Sequence, residues 1–526
     1  MERGDQQFKV YPCTFSDDLD HAPTWEVARI AGDGQPTGFL DDERPVADPL
    51  DTSVRYGFKP LWRRNGLRSV HAGNSSKHPC HPIITGRWWA ANHSSSVATG
   101  ALSCLSVNTT PTTNTSTTTS HGADSVPAFP GPRHMRGDFL LKEGVVFLNH
   151  GSYGACPREV FEIYQTWQRE LEAEPVTFLG RRFAPVMRQA RQDLAAYLGA
   201  DADDLVYYPN ATQGLNVVIQ SLAENLPLVA GDEILSTSHE YGALDKAWTF
   251  VSEPRGVIYN RVELAPPFTT AEEFADRFLA HVGPRTRIVY LSHITSPTAL
   301  RFPVELIVKR ARALGLITVI DGAHAPGQVA INLTEIDADF YSGNCHKWLC
   351  APKGSGFLHA RRDMQKLLRP VIIGHGWRTT PPGESVYVHE HQWRGTFDPA
   401  SYLTVPAAIE FQAHHDWSRI RADAHVMATY AMNRLIGAFG EPPISPPTTD
   451  WWVQMVAAPI GRCDAGAVST RLYEDHNIVI PIIDWGGRTF ARISVQAYTT
   501  RTELDLLVDA LVDLVPKFPH PSAKSG

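Results

Sequence analysis

From about residue 159 the chain alternates short apolar runs with stretches of helical period, and that alternation restricts the fold more than any other feature. Leu205-Val-Tyr-Tyr208, then 233–236, 256–259, 287–292 and 317–320, read as strands that are apolar at consecutive positions rather than at every second one. Strands of that kind are buried on both faces, which points to a mainly parallel sheet covered by helices. The intervening segments supply those helices. Residues 212–222 set Leu215, Val218, Ile219 and Leu222 on one face, and 303–315 close on Gly315, a residue suited to the turn that ends a helix. In open sheets of this sort ligands bind beyond the carboxyl ends of the strands, so the loops that follow the strands are where chemistry is expected. From about residue 381, strand signals mix with longer helical patterns at 400–416, 418–439 and 502–514, as in a smaller α+β domain. The domain plan expected is a low-complexity extension over 1–127, a segment over 128–160 laid against the functional site, a large domain over 161–380, a small one over 381–515, and a flexible tail over 516–526.

The extension lacks any sustained period and ends in a Ser/Thr-rich tract, 92–120, which holds too little apolar surface to offset the entropy of ordering it. Three glycosylation sequons, at Asn92, Asn108 and Asn114, fall in that tract and read as chance products of its composition. A formal net charge of -8 offers no general attraction to nucleic acid or anionic membranes. No apolar run approaches the roughly 20 residues that span a bilayer, and the first residues lack the basic-then-apolar order of a signal peptide. Seven cysteines, at 13, 80, 104, 156, 345, 350 and 463, have no metal-ligand spacing and suit a reducing compartment. A cytoplasmic protein with a small-molecule substrate, and with no metal, nucleic-acid or membrane partner, is the expectation.

Three segments beyond the strands carry chemistry. Pro209-Asn-Ala-Thr-Gln-Gly214 stands between a strand and a helix, where free N–H groups and the Thr212 hydroxyl suit a phosphate, or where Asn210 or Thr212 is an ordinary N-cap. Asp321, in Thr318-Val-Ile-Asp-Gly-Ala-His324, ends a buried strand; a carboxylate there needs a partner such as a protonated ring nitrogen, or else it caps the following loop. Lys347 is flanked by Cys345, His346, Trp348 and Leu349 and followed by Lys353-Gly-Ser-Gly356. Apolar flanks lower a lysine's pKa and favour the neutral amine that forms imines. Together these are what a phosphorylated pyridine aldehyde requires.

Asp321-Gly-Ala-His324, His346-Lys347 and Gly354-Ser-Gly356 resemble the class V aminotransferase branch of fold-type-I enzymes dependent on pyridoxal 5'-phosphate. Phe147-Leu-Asn-His-Gly-Ser-Tyr-Gly154, the Asn-Ala-Thr turn and Asn344-Cys-His-Lys-Trp348 are most similar to the isopenicillin N epimerase-like subgroup, over about residues 128–515. The resemblance implies an α/β large domain with a mainly parallel, seven-stranded sheet, a smaller C-terminal α+β domain, and a homodimer with shared sites. It implies that Lys347 is the Schiff-base lysine and Asp321 the partner of the pyridinium, with His324 and Ser296 on the ring hydroxyl. Tyr241 stands where relatives stack a ring on the cofactor, with His239 as the fallback. Ala211, Thr212 and His346 would hold the phosphate, and Thr396 would reach the phosphate of the partner subunit. Asn149, Ser152, Tyr153 and Arg492 are the residues implied for substrate, Arg492 because a guanidinium takes a carboxylate with two parallel bonds. Small residues commonly precede the His-Lys pair in the wider family, where this chain has Asn344-Cys345.

The reaction expected is chemistry at Cα or Cβ of an amino acid or an amino-acid conjugate. Cα epimerisation leads. C–S lysis of a cysteine sulfoxide conjugate, a cyclisation or transamination of specialised metabolism, and a non-catalytic binding role stand behind it. The stretch 361–393 contains no cysteine, which disfavours persulfide chemistry, and Cys345 and Cys350 read as packing residues. Cys156 lies near the expected substrate site.

Overall fold

The computed structural model describes residues 135–521. The expected extension over 1–127, its sequons, and residues 522–526 of the tail lie outside the described residues.

In chain order the large domain is built from helices α1 (Arg158–Ala173) and α2 (Phe183–Leu198), strand β1 (Leu205–Tyr208), helix α3 (Ala211–Asn225), strand β2 (Glu233–Thr237), helix α4 (Gly242–Ser252), and strands β3 (Ile258–Val262) and β4 (Thr286–Ser292). Helix α5 (Val304–Ala313) and strands β5 (Ile317–Gly322), β6 (Phe340–Asn344) and β7 (Gly356–Ala360) follow. The strands form one 7-stranded sheet in the order β1-β7-β6-β5-β4-β2-β3. All neighbours run parallel except β7, which is antiparallel to both β1 and β6.

Burial on both faces is visible strand by strand. Leu235, Val289, Leu291, Ile320 and Tyr341 join one core, while their neighbours Ile234, Ile288, Tyr290, Val319 and Phe340 join the other. Successive side chains of a strand point to opposite faces, so only a sheet covered on both sides buries such a run. The third strand begins at Ile258, not at 256, because Glu253–Arg255 forms a 3₁₀ turn that Gly256 closes in the left-handed conformation. The helix expected over 400–416 is broken into Ala400–Leu403 and α6 (Val405–His414). Pro406 lacks the N–H that would continue the ladder there.

Tyr387, Val388, Tyr402, Val405 and Phe411 still pack into the cores that flank the large sheet. Beyond them helix α7 (Trp417–Phe439), strands β8 (Met455–Ile460), β9 (Ile482–Trp485) and β10 (Arg488–Ser494), and helix α8 (Arg501–Leu514) form a second layer. Its 3-stranded antiparallel sheet, ordered β9-β10-β8, has its own core of Ala428, Leu435, Ile493, Leu507 and Leu511.

The segment before α1 is pinned to this layer. Val146 and Phe147 pair in parallel with Ile478 and Val479, and Ser494 donates its N–H to Leu148 O at 2.9 Å. No helix among the described residues is long and apolar enough to cross a membrane.

Candidate active site

The carboxyl ends of β4, β5 and β6 and the amino end of α3 face one cavity of about 510 Å³, lined by Lys347 and Asp321 together with His324, Ser292 and Ser296. Ala211, Thr212, Tyr241, His346, Ser152 and Tyr153 line the same cavity. Ten side chains or backbone groups expected from the sequence to act together, scattered between positions 152 and 347, are therefore brought to one place by the strand order.

Asp321 occupies the end of β5 and is 3% exposed. Its Oδ1 accepts the Ala323 N–H at 2.9 Å, a turn-capping bond, while Oδ2 receives no donor among the described residues. The capping reading is met by Oδ1, and Oδ2 is left open toward the cavity side of the strand end without a donor among the described residues. Burial pushes its carboxyl up to about 6, against the Ala323 bond and the Lys347 cation. Lys347 is brought down to about 8 by burial and by the Arg492 cation, with Asp321 opposing. An amine near that value holds a far larger neutral fraction at neutral pH than an ordinary lysine and becomes mostly neutral at mildly basic pH, as imine formation requires.

His324 lies between the lysine and an indole: its Nε2 is 3.3 Å from Lys347 Nζ, and its Nδ1 accepts the Trp348 Nε1–H at 3.3 Å. Burial, then the Lys347 and Arg492 cations, hold the imidazole well below its ordinary pKa, so it is neutral.

At the opposite end of the cavity, Asn210 caps α3 by accepting the Gln213 N–H at 2.9 Å, and Asn344 Oδ1 accepts the Ala211 N–H at 2.8 Å. The Thr212 N–H and hydroxyl take no part in those bonds and face the positive end of a 15-residue helix. His346 Nδ1–H donates to Ser355 O at 2.9 Å, which leaves Nε2 as the acceptor, and burial lowers its pKa to about 4.

Arg492 does not itself face the cavity as a wall residue; it stands behind it on β10, 5% exposed. Its Nη1 donates to Ser296 O at 2.7 Å, its Nη2 donates to Ser152 Oγ at 2.9 Å, and its Nε is buried without a partner. Ser152 Oγ in turn donates to Asn149 Oδ1, which ties Asn149 to the same network. Tyr153 and Tyr241 are 72% and 45% exposed and form the rim.

Three positions are placed elsewhere. His239, the fallback for stacking, is buried against Trp485 with ring centroids 4.2 Å apart, and its Nδ1 pairs with Thr298 Oγ1. Thr396 is exposed on the loop after Trp393 and does not line the cavity within this chain. Cys156 lines a different, smaller cavity with Leu140, Phe161 and Lys353; burial pushes its thiol up to about 12, which makes it inert at neutral pH.

Two contributors were not singled out by sequence. Asn344 holds the amino end of α3, and Glu240 accepts from Ser292 N–H at 2.8 Å, Ser292 Oγ at 2.6 Å and Thr237 Oγ1 at 2.7 Å. Asn344 sits three residues before Lys347, within a motif already quoted, so its place was on view although its partner was not.

Comparison with known proteins agrees with this geometry. The Aminotransferase class-V family matches residues 147–507. Isopenicillin N epimerase of Amycolatopsis lactamdurans is 34% identical over 395 residues, 72% of this chain and 98% of that protein. A putative L-cysteine desulfhydrase 1 of Oryza sativa subsp. japonica is 29% identical over 72% of this chain and 86% of its own length. Among solved structures, the apo cysteine desulfurase of Thermococcus onnurineus NA1 superposes with a TM-score of 0.63 at 20% identity, covering 74% of this chain and 100% of that one. The site and fold define a pyridoxal 5'-phosphate enzyme of fold type I. The chain belongs to the class V aminotransferase family and is similar to its isopenicillin N epimerases.

Proposed function

We propose that the protein acts at Cα of an amino acid or amino-acid conjugate, inverting its configuration, with Lys347 as the amine that holds pyridoxal 5'-phosphate. The observation that carries this reading is a single cavity in which a buried lysine, brought down to about 8, stands with a buried aspartate that has one free oxygen, while a buried arginine with an unpartnered Nε lies behind the Ser152 and Ser296 wall. Similarity to isopenicillin N epimerases over 98% of one such protein supports the choice of reaction.

The residues present fit that cofactor. The free Asp321 Oδ2 suits a protonated pyridine nitrogen, the unengaged Thr212 N–H at a helix start suits a phosphate, and the cavity of about 510 Å³ lies in the range typical of cofactor sites. When bound, the cofactor supplies an electron sink for negative charge at substrate Cα. Asp321 would keep the proton on the ring nitrogen that makes the sink effective. Ala211, Thr212 and His346 would hold the phosphate, Tyr241 would cover the ring, and Ser296 and His324 would take its hydroxyl. Arg492 would take the substrate carboxylate once its Nη1 and Nη2 leave Ser296 and Ser152, which separate it from the cavity in this structure. Lys347, as a free amine, would take the Cα proton on its own face, and inversion requires that a proton be returned to the opposite face by a second donor.

A second reading, C–S lysis, rests on the cysteine desulfhydrase relatives. Incubation of loaded enzyme with amino-acid substrates in deuterated water separates the two. Epimerisation gives Cα deuteration with inversion and no keto acid, whereas lysis releases pyruvate. Neither product from any amino acid tested would overturn both readings.

Thr396 is assigned to the phosphate of a partner subunit in a homodimer. Supporting this, Val371, Ile372, Ile373 and Val386 expose 53%, 54%, 59% and 58% of their surfaces on one side of the large domain, more than isolated apolar residues explain. A reducing, cytoplasmic setting is supported by the cysteines among the described residues, Cys156, Cys345, Cys350 and Cys463, all buried and unpaired, and a place in specialised metabolism by the likeness to isopenicillin N epimerases.

A further inference from the structure

His324 has a nitrogen on each side, and the two neighbours differ in kind. On one side Trp348 Nε1 lies 3.3 Å from Nδ1. An indole N–H can only donate, so Nδ1 must offer its lone pair. The imidazole is neutral, because burial, the largest cause, holds it well below its ordinary range, and the Arg492 cation acts in the same direction whether or not the lysine is charged. A neutral imidazole carries one proton, and with Nδ1 excluded the proton is on Nε2. On the other side Nε2 lies 3.3 Å from Lys347 Nζ. An ammonium has three donors and no lone pair, so an Nε2–H can bond only to the free amine.

We propose that Trp348 is a positioning residue: its indole N–H locks His324 as the Nε2–H tautomer, so that His324 donates to Lys347 Nζ and selects the uncharged form of the lysine.

The lock is rigid. Trp348 is fully buried, its carbonyl accepts from Gln412 Nε2 at 2.8 Å, and its ring lies 5.0 Å from that of His150. Gly327, at φ +87°, lets the Trp348 backbone approach so closely that a Cβ would come within 2.2 Å of it. A released imidazole could move its proton to Nδ1 and accept from an ammonium instead, which would favour the charged lysine. The other ionisable groups facing the amine are Asp321 at the end of β5, which favours the cation, and Arg492 on β10, which disfavours it. His346, next in the chain, is held uncharged by burial.

The inference deepens the assignment of Lys347, and rests on it for its consequence in catalysis, but the tautomer can be tested without that assignment. The full-length chain, labelled with ¹⁵N-histidine and without added cofactor, should show one-bond ¹⁵N–¹H coupling at Nε2 and not at Nδ1 in the resonance that His324→Gln removes. In Trp348→Phe the Nδ1-protonated form should appear. Lys347 should then titrate about one unit higher, read as roughly tenfold slower reductive methylation of its peptide near neutral pH. Adding Trp348→Phe to a His324→Gln background should produce no further change, since the indole acts through the imidazole. A proton on Nδ1 in the wild-type chain overturns the proposal, as does an equal lysine shift in both backgrounds. If Trp348→Phe does not fold, the wild-type tautomer alone decides. If loading with the aldehyde and borohydride labels a lysine other than Lys347, the proposed function fails while the tautomer result stands.

Discussion

At the scale of the residue, Asp321 shows how one carboxylate serves two ends. Its Oδ1 caps the Ala323 turn, and Asn would keep that bond with little loss, because Asp and Asn are near-equal in local caps. Oδ2 is the oxygen assigned to the ring nitrogen, and an amide there does not hold a proton on the ring. Asp321→Asn should therefore retain cofactor but lose about 100- to 1000-fold in Cα proton exchange, the usual cost of one preorganised electrostatic contact. Exchange measured beside overall turnover checks this, since slow product release would mask the chemical defect. Lys347 sets a pH dependence of its own. With its amine brought down to about 8, uptake of the aldehyde by the cofactor-free chain should rise as pH climbs through that value and level off above it. Stopped-flow absorbance would follow it, and a midpoint near the ordinary lysine value would mean that the amine is not desolvated.

Among elements, the start of α3 depends on a residue in another segment. Asn344, at the end of β6, accepts the buried Ala211 N–H, so Asn344→Ala leaves that donor without a partner. An unsatisfied buried N–H costs about 1–3 kcal/mol. The chain should lose that much in denaturant titrations and also bind phosphate-bearing cofactor more weakly, while Asn210→Ala, which removes only an exposed cap, should cost about 1 kcal/mol. The turn that ends the Asn149–Gly154 segment is equally constrained. Gly154 lies at φ +70°, and a Cβ there would stand 1.9 Å from His346 O. Only glycine allows the segment bearing Ser152 and Tyr153 to lie on the Lys347 loop, which its sequence neighbours do not reveal.

For the whole molecule, buried histidines dominate the acid side of stability. His150, His239, His293 and His391 are lowered to about 3 by burial, and His346 and His359 to about 4. Below pH 6.5 the unfolded chain binds these protons and the folded chain does not, so stability falls as pH is lowered through that window, by about 1.4 kcal/mol per pH unit for each proton difference. Glu240, raised to about 8, and Asp321, raised to about 6, act in the opposite sense but are outnumbered. Calorimetry between pH 6.5 and 5 should show a steadily falling Tm, and a flat profile would mean the histidines are solvated. A chain beginning near Ser125 should keep its fold and its cofactor, because the matched family region begins at residue 147 and the removed extension, 1–124, has no sustained period and contains the Ser/Thr-rich tract 92–120.

The strands were legible because a run such as Arg287-Ile-Val-Tyr-Leu-Ser292 is apolar at every interior position, and only a doubly covered sheet satisfies it. Lys347 and Asp321 were legible because a charge among apolar neighbours needs a reason to be there. The break at Pro406 and the start of the third strand were written in Pro and Gly, yet hidden by the surrounding periodicity. What only the tertiary structure decided is which distant groups meet. The order β7-β6-β5-β4-β2 sets Asp321, Ser292 and Asn344 side by side, and the pairing of Val146–Phe147 with Ile478–Val479 brings Ser152 to Arg492. Periodicity records how far each side chain is buried, a property local to its element. Partnership across hundreds of residues is a property of the packing between elements, and no local pattern encodes it.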